Sequence, residues 1–238
     1  MTKKMIVCGD SYMTPAVAHP NTHFAELTAK VLDYELIVYS RGGMSNLGIC
    51  LQIEEAVSNK PDLILFNTTS YDRTEIPLKP PSEECYDYTM QDIIYRERNS
   101  FSTYSGITGK KGPNLISDSM YSILTYNLYD DIPDIDYKTE GIKKYFETIY
   151  DFGWERIKDM MCLYASIHKL HESKIPYVYN FPENEILEYC PFIDEKFTLL
   201  DKANDLPVGV KDPGYHTTIE SQYLMSRMLI DYLVERFK

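Results

Sequence analysis

The sequence predicts an α/β fold. Three layers, α/β/α, enclose a parallel sheet, and a long insertion follows the third strand. Two observations carry this. Short apolar runs alternate with longer stretches of helical period, the signature of strand–helix–strand units and parallel pairing. The rhythm then breaks for dozens of residues and resumes near the end.

The elements follow in order. Met5–Cys8 is a short apolar run closed by Gly9, hence a buried strand. The stretch 21–32 places Phe24, Leu27, Val31 and Leu32 on one helical face, with Asn21 or Thr22 as cap. Leu36–Tyr39 is a second strand, ended by Gly42 and Gly43. Asn46–Val57 is helical, with Leu47, Ile49, Cys50, Ile53 and Val57 as its apolar side. Pro61-Asp62 opens a third strand, Leu63–Phe66, apolar enough to be buried on both faces. From Pro77 to about Tyr137 the chain is rich in Pro, Tyr, Ser and Asp, too long for a plain connection; residues 77–150 are therefore expected to be an insertion or lid within one domain of residues 1–238. Its prolines disfavour a central strand. Helical pattern is strongest from Trp154 to Ser173, where Ile157, Met161, Tyr164 and His168 recur on one side. Ile175–Phe181 is a fourth strand. A loop with several prolines leads to Asp212 and His216, and Ile219–Phe237 closes the chain as an amphipathic helix.

Composition narrows the function classes. The chain has 238 residues, 44% hydrophobic and 25% charged, as in an ordinary globular protein, with a net charge of -12. That charge argues against a nucleic-acid partner, for which a basic face is the usual footprint. No apolar run is long enough to span a membrane, and no signal peptide is read at the start. The five cysteines are scattered, without a CxxC pair, which fits reduced thiols and a cytoplasmic location. The sequence does not set the oligomeric state.

In parallel sheets a ligand lies beyond the carboxyl ends of the strands. Asp10, Ser11, Gly42, Gly43 and Asn67 all fall at or just after such ends. Ser11, in Gly9-Asp10-Ser11, is exposed there as a hydroxyl nucleophile, which needs a base that a carboxylate orients. His216 precedes the last helix, and Asp212 lies four residues before it. The backbone N–H groups of Ser11 and Gly43 are candidate oxyanion donors.

Gly-Asp-Ser after the first strand, Gly43-Met44-Ser45-Asn46 after the second, Pro-Asp-Leu-Ile-Leu-Phe leading to a third block, and an Asp/His pair before the terminal helix together resemble the ordered blocks of the SGNH (GDSL-like) hydrolase superfamily. The segment Arg41–Asn46 also resembles SGNH domains of phage proteins. The similarity covers roughly residues 3–76 and 155–236. It implies a flavodoxin-like parallel sheet of the SGNH type. It also implies Ser11 as nucleophile and first oxyanion donor, Gly43 as second donor, His216 as base and Asp212 as its acid. Where the family carries Gly-x-Asn-Asp, this chain reads Asn67-Thr68-Thr69-Ser70-Tyr71-Asp72. The third donor therefore falls to Asn67, with Thr69 and Ser70 as substitutes. The acid spacing is Asp-x-x-x-His in place of the family's Asp-x-x-His.

The resulting expectation is a serine esterase that acts on a small-molecule or carbohydrate ester, most simply an acetyl or short acyl group, with no metal or organic cofactor. The alternative is a weakened SGNH-like module that binds a glycan or protein through its Tyr-rich insertion. A flavodoxin-like nucleotide domain is disfavoured, because Gly9–Ala16 lacks a phosphate cradle. His168 and His171, three apart on a helix, lack a third metal ligand. His19 and His23 receive no role. Gly109–Gly112 (GKKG) is not a phosphate loop. Arg41 and Arg73 can meet an anionic substrate group, but an ion pair with one of the many acids is the plainer expectation.

Overall fold

The computed structural model describes residues 2–15, 19–41, 44–69, 71, 73–77, 101–105, 115–117, 120–124, 144, 148–180, 184–193, 198–199 and 218–237. Its main sheet has five strands in the order β2-β1-β3-β8-β9, each adjacent pair parallel. These are β1 (Lys3–Cys8), β2 (Tyr34–Val38), β3 (Leu63–Phe66), β8 (Tyr177–Asn180) and the two-residue edge β9 (Thr198–Leu199). A second sheet, ordered β4-β5-β7-β6, is made of β4 (Arg73–Pro77), β5 (Phe101–Ser105), β6 (Leu115–Ser117) and β7 (Met120–Leu124). The described strands from 77–137 thus all belong to this second sheet.

Alternation in the strands sorts the core into two layers. Ile6 and Cys8 of β1, Ile64 and Phe66 of β3, and Tyr177 and Tyr179 of β8 face helices α2 (Asn46–Ser58), α3 (Phe152–Glu172) and the short α4 (Asn184–Tyr189). Met5, Val7, Leu63, Leu65 and Val178 face α1 (Phe24–Val31) and α5 (Ile219–Arg236). β3 is buried along its whole length, as its unbroken Leu-Ile-Leu-Phe run requires when both faces are covered. The fold is the three-layer α/β/α arrangement the sequence implies.

Several local readings are corrected. The α1 cap is His23, neither Asn21 nor Thr22. Its ring accepts from Ala25 N–H while Glu26 reaches back to the His23 N–H, a capping box built on an imidazole. Polar burial also turns α1. Its buried face is Phe24, Ala25, Thr28 and Ala29, whereas Val31 is 64% exposed. Thr28 is buried because its hydroxyl bonds Ser226 of α5. In α2, Leu47 is exposed and Gln52 is buried. In α3 the expected apolar side, Ile157, Met161 and Tyr164, is exposed; Met160, Leu163, Ile167 and Leu170 form the buried side. Both stripes are apolar, so period alone could not choose between them. The proline-bearing loop before Asp212 also contains α4 and β9, elements too short to leave a periodic signal.

Candidate functional site

The strand order fixes where a site belongs. The chain leaves β1 for β2 on one side, then returns to β3 on the other, so the crevice between the carboxyl ends of β1 and β3 is the topological switch point. Ser11 lies in the turn directly after β1, half-buried at that crevice.

Local chemistry dictates the turn. Gly9 has φ +143°, a conformation that L side chains rarely adopt, and a Cβ there would stand 1.8 Å from Asn67 Oδ1. Asp10 then closes an Asx turn, its Oδ1 accepting the Tyr12 N–H at 3.0 Å. Its carbonyl accepts the Met13 N–H at 3.0 Å and the Thr14 hydroxyl at 2.9 Å. Ser11 sits at the crest of this closed turn. On the α2 side, Gln52 Oε1 accepts the Gly9 N–H at 2.6 Å.

Asp10 is buried and also gathers donors from across the crevice. Asn67 Nδ2 donates to its Oδ1 at 2.9 Å. The Thr69 hydroxyl and Arg73 Nη1 donate to its Oδ2 at 2.9 and 3.1 Å. Asn67 Oδ1 in return accepts the Asp10 N–H at 3.1 Å. Both carboxylate oxygens of this buried side chain are thus satisfied by donors, as burial of a polar group requires. Asn46, at the start of α2, grips the same loop from outside. Its Oδ1 accepts the Thr69 N–H, and its Nδ2 donates to the Thr69 carbonyl and to Asp159 of α3, each at 2.9 Å.

This network limits what the third block can do. The single Thr69 hydroxyl proton goes to Asp10, so Thr69 is not left to donate to a ligand. Asn67 gives one of its two amide hydrogens to Asp10. Tyr71 is half-buried, and its hydroxyl lies 3.1 Å from Met160 Sδ. Burial holds its phenol protonated well beyond the ordinary range.

The second oxyanion candidate, Gly43, and Gly42, Asp212 and His216 lie outside the described residues. The segments flanking Gly42-Gly43 do come to the crevice: Ser40 N–H donates to Val7 O, Arg41 N–H to Gly9 O, and the Ser40 hydroxyl to Met13 O. Arg73 makes the ion pair its sequence suggested, with Asp10.

Sequence reading missed His23. Since Nδ1 accepts from Ala25 N–H, Nε2 carries the proton and donates to the Tyr12 carbonyl at 3.2 Å. The ring ties α1 to the residue after Ser11. Burial lowers its pKa to about 4, against a partial offset from the Tyr12 bond. With both nitrogens committed it is unsuited to be a base. The only signal in sequence was Glu26 three residues on. His171 binds the Tyr177 hydroxyl at the opposite end of β8. No group of metal-ligating side chains occurs among the described residues, and no helix among them is long and apolar enough to cross a membrane. Cys8, Cys50, Cys162 and Cys190 are free thiols.

No family model and no curated protein matches the chain. Two solved structures resemble it at low identity. One is an acetyl xylan esterase from the rumen bacterium Butyrivibrio proteoclasticus, at 13% identity and TM-score 0.49, covering 99% of this chain and 64% of that one. The other is a carbohydrate esterase whose active site is described as displaying divergent catalytic and non-catalytic binding functions, at 10% identity and TM-score 0.44, covering 98% and 65%. The chain therefore spans less than two thirds of either neighbour's length.

Proposed function

We propose that this protein is a serine ester hydrolase of the SGNH type that acts on a small-molecule or carbohydrate ester. One observation carries the reading: Ser11 crowns a turn fixed from all sides at the switch-point crevice of a parallel sheet. That placement suits a nucleophile, whose backbone must stay rigid while its hydroxyl meets substrate. Ser11 Oγ attacks the acyl carbon as His216 Nε2 takes its proton, with Asp212 orienting the imidazole. The oxyanion is held by the backbone N–H groups of Ser11 and Gly43, and the remaining amide hydrogen of Asn67 is the third donor. His216 returns the proton to the leaving alcohol. Water then releases the acyl group by the reverse sequence. A fluorophosphonate probe tests this: wild type is labelled and Ser11→Ala is not. Labelling that survives the substitution overturns the assignment.

A second reading, a non-catalytic SGNH-like binding module, is favoured by one observation. Asp10 engages the Thr69 hydroxyl and part of the Asn67 amide, so the third block has fewer donors to offer an oxyanion than the family pattern supplies. Absence of labelling in a folded wild type selects it.

A further inference from the structure

We propose that Arg73 forms a subsite for a carboxylate carried by the substrate, so that the preferred esters are anionic close to the scissile bond. This rests on the esterase reading and names its substrate class. Arg73 opens β4, and its side chain is 21% exposed beside the Ser11 turn. One guanidinium nitrogen, Nη1, makes both of its bonds, to Asp10 Oδ2 at 3.1 Å and to the Met44 carbonyl at 3.3 Å. Among the described residues neither Nε nor Nη2 takes part in a hydrogen bond. Three N–H donors therefore remain in one plane, in the fork that matches a carboxylate edge-on.

The structural duty of Arg73 does not account for that fork. Holding one carboxylate oxygen and one carbonyl takes a single nitrogen, which a lysine ammonium also supplies. Asp10 meanwhile has three further donors, the Tyr12 N–H, Asn67 and Thr69, so it is satisfied at one corner of the guanidinium without closing the other. Anchoring at Nη1 removes rotamer freedom in advance, which lowers the entropic cost of gripping a ligand with the rest. Tyr12, the residue after Ser11, is 39% exposed. Burial raises its phenol pKa, the Asp10 charge adds to that, and the Arg73 charge opposes it. Long-range attraction cannot draw an anion to a chain of net charge -12. Selection must come from short-range, bidentate contact at this one place.

The test compares two matched pairs of esters: 4-acetoxybenzoate against its methyl ester, with the charge on the alcohol side, and mono-4-nitrophenyl succinate against 4-nitrophenyl butyrate, with the charge on the acyl side. Wild type is expected to favour the anionic member of one pair in kcat/KM. Arg73→Lys, which keeps the positive charge beside Asp10, is expected to lower that anionic-to-neutral ratio by at least about tenfold. No anionic preference in either pair, or an equal loss on both members that leaves the ratio unchanged, overturns the subsite and leaves Arg73 a structural residue. If wild type hydrolyses none of the four, the esterase reading fails separately, and calorimetric titration with benzoate decides the subsite. Binding at least tenfold weaker in Arg73→Lys supports it; no binding to wild type refutes it.

Discussion

The turn around Ser11 and the outer face of α3 invert the usual relation of polarity to burial. At the turn, Asp10, Asn46, Asn67 and Thr69 are almost fully buried, each joined to others by short hydrogen bonds. On α3, Trp154, Ile157, Met161 and Tyr164 stand in the open, 45–68% exposed. Ile157, Met161 and Tyr164, together with Arg156, Met160 and Tyr189, line a groove of about 650 Å³. Hydropathy alone would exchange the two regions. Position in the sheet topology decides instead: a carboxyl edge at a switch point gathers polar groups, which tolerate burial only when paired.

The largest effect expected is on the first region's function. Ser11→Ala should lower kcat on an activated ester by at least about a thousandfold. His216→Ala should do the same, and the double variant should be little worse than either, because members of one catalytic unit are strongly non-additive. Multiplicative losses would separate the two residues.

Removing the clamp tests whether buried polarity holds the turn. Asn46→Ala leaves the buried Thr69 N–H and carbonyl without the Asn46 side chain and removes one bond to Asp159, and should cost about 2–3 kcal/mol in denaturant unfolding. The apolar control is Leu163→Ala on the inner face of α3, at about 3 kcal/mol for a fully buried leucine. A clamp worth much less than the leucine would make the polar region a passenger of the core.

His23 gives the comparison a pH axis. Its folded pKa, about 4, lies below the unfolded value of about 6.5. The neutral ring is favoured by folding, and the unfolded chain binds the proton first. Stability from this residue is therefore complete above about pH 6.5 and falls as pH drops towards 4, by on the order of 3 kcal/mol. His23→Gln should be less stable at neutral pH but flatter across that window in unfolding titrations. An unchanged slope would contradict the buried, neutral ring. The smallest effect belongs to the outer stripe: Met161→Ser, at a site 68% exposed, should shift stability by less than about 0.5 kcal/mol. A larger loss would show that the stripe is covered.

Sequence legibility follows the same division. The strand and helix positions of the main sheet were readable, because four apolar runs with fixed spacing leave few arrangements. β3 was readable to the residue, with Pro61-Asp62 before it and a polar run after. Ser11 was readable as a strand-end serine. The buried polar network was not. Gln52 looks like an ordinary helix-surface residue until the Gly9 N–H finds it, and Asn46 reads as a helix start rather than a clamp on Thr69. Those contacts join residues far apart in the chain, and no local pattern encodes them. The faces of α3 failed for a different reason, since either stripe satisfied the period.

The pairing of β3 with β8 has one further consequence. These neighbours are joined by a very long stretch of chain, whereas β1, β2 and β3 come from consecutive units near the start. The entropy of closing such a loop grows only logarithmically, and doubling its length costs about 0.6 kcal/mol. The entropic cost of pairing β3 with β8 therefore depends only weakly on how many residues lie between β4 and α3. A change of length between β4 and α3 leaves Asn67, Thr69 and Arg73 in place to hold the Ser11 turn. Length between these two elements can thus vary at little closure cost while the parallel pairing of β3 and β8 is kept.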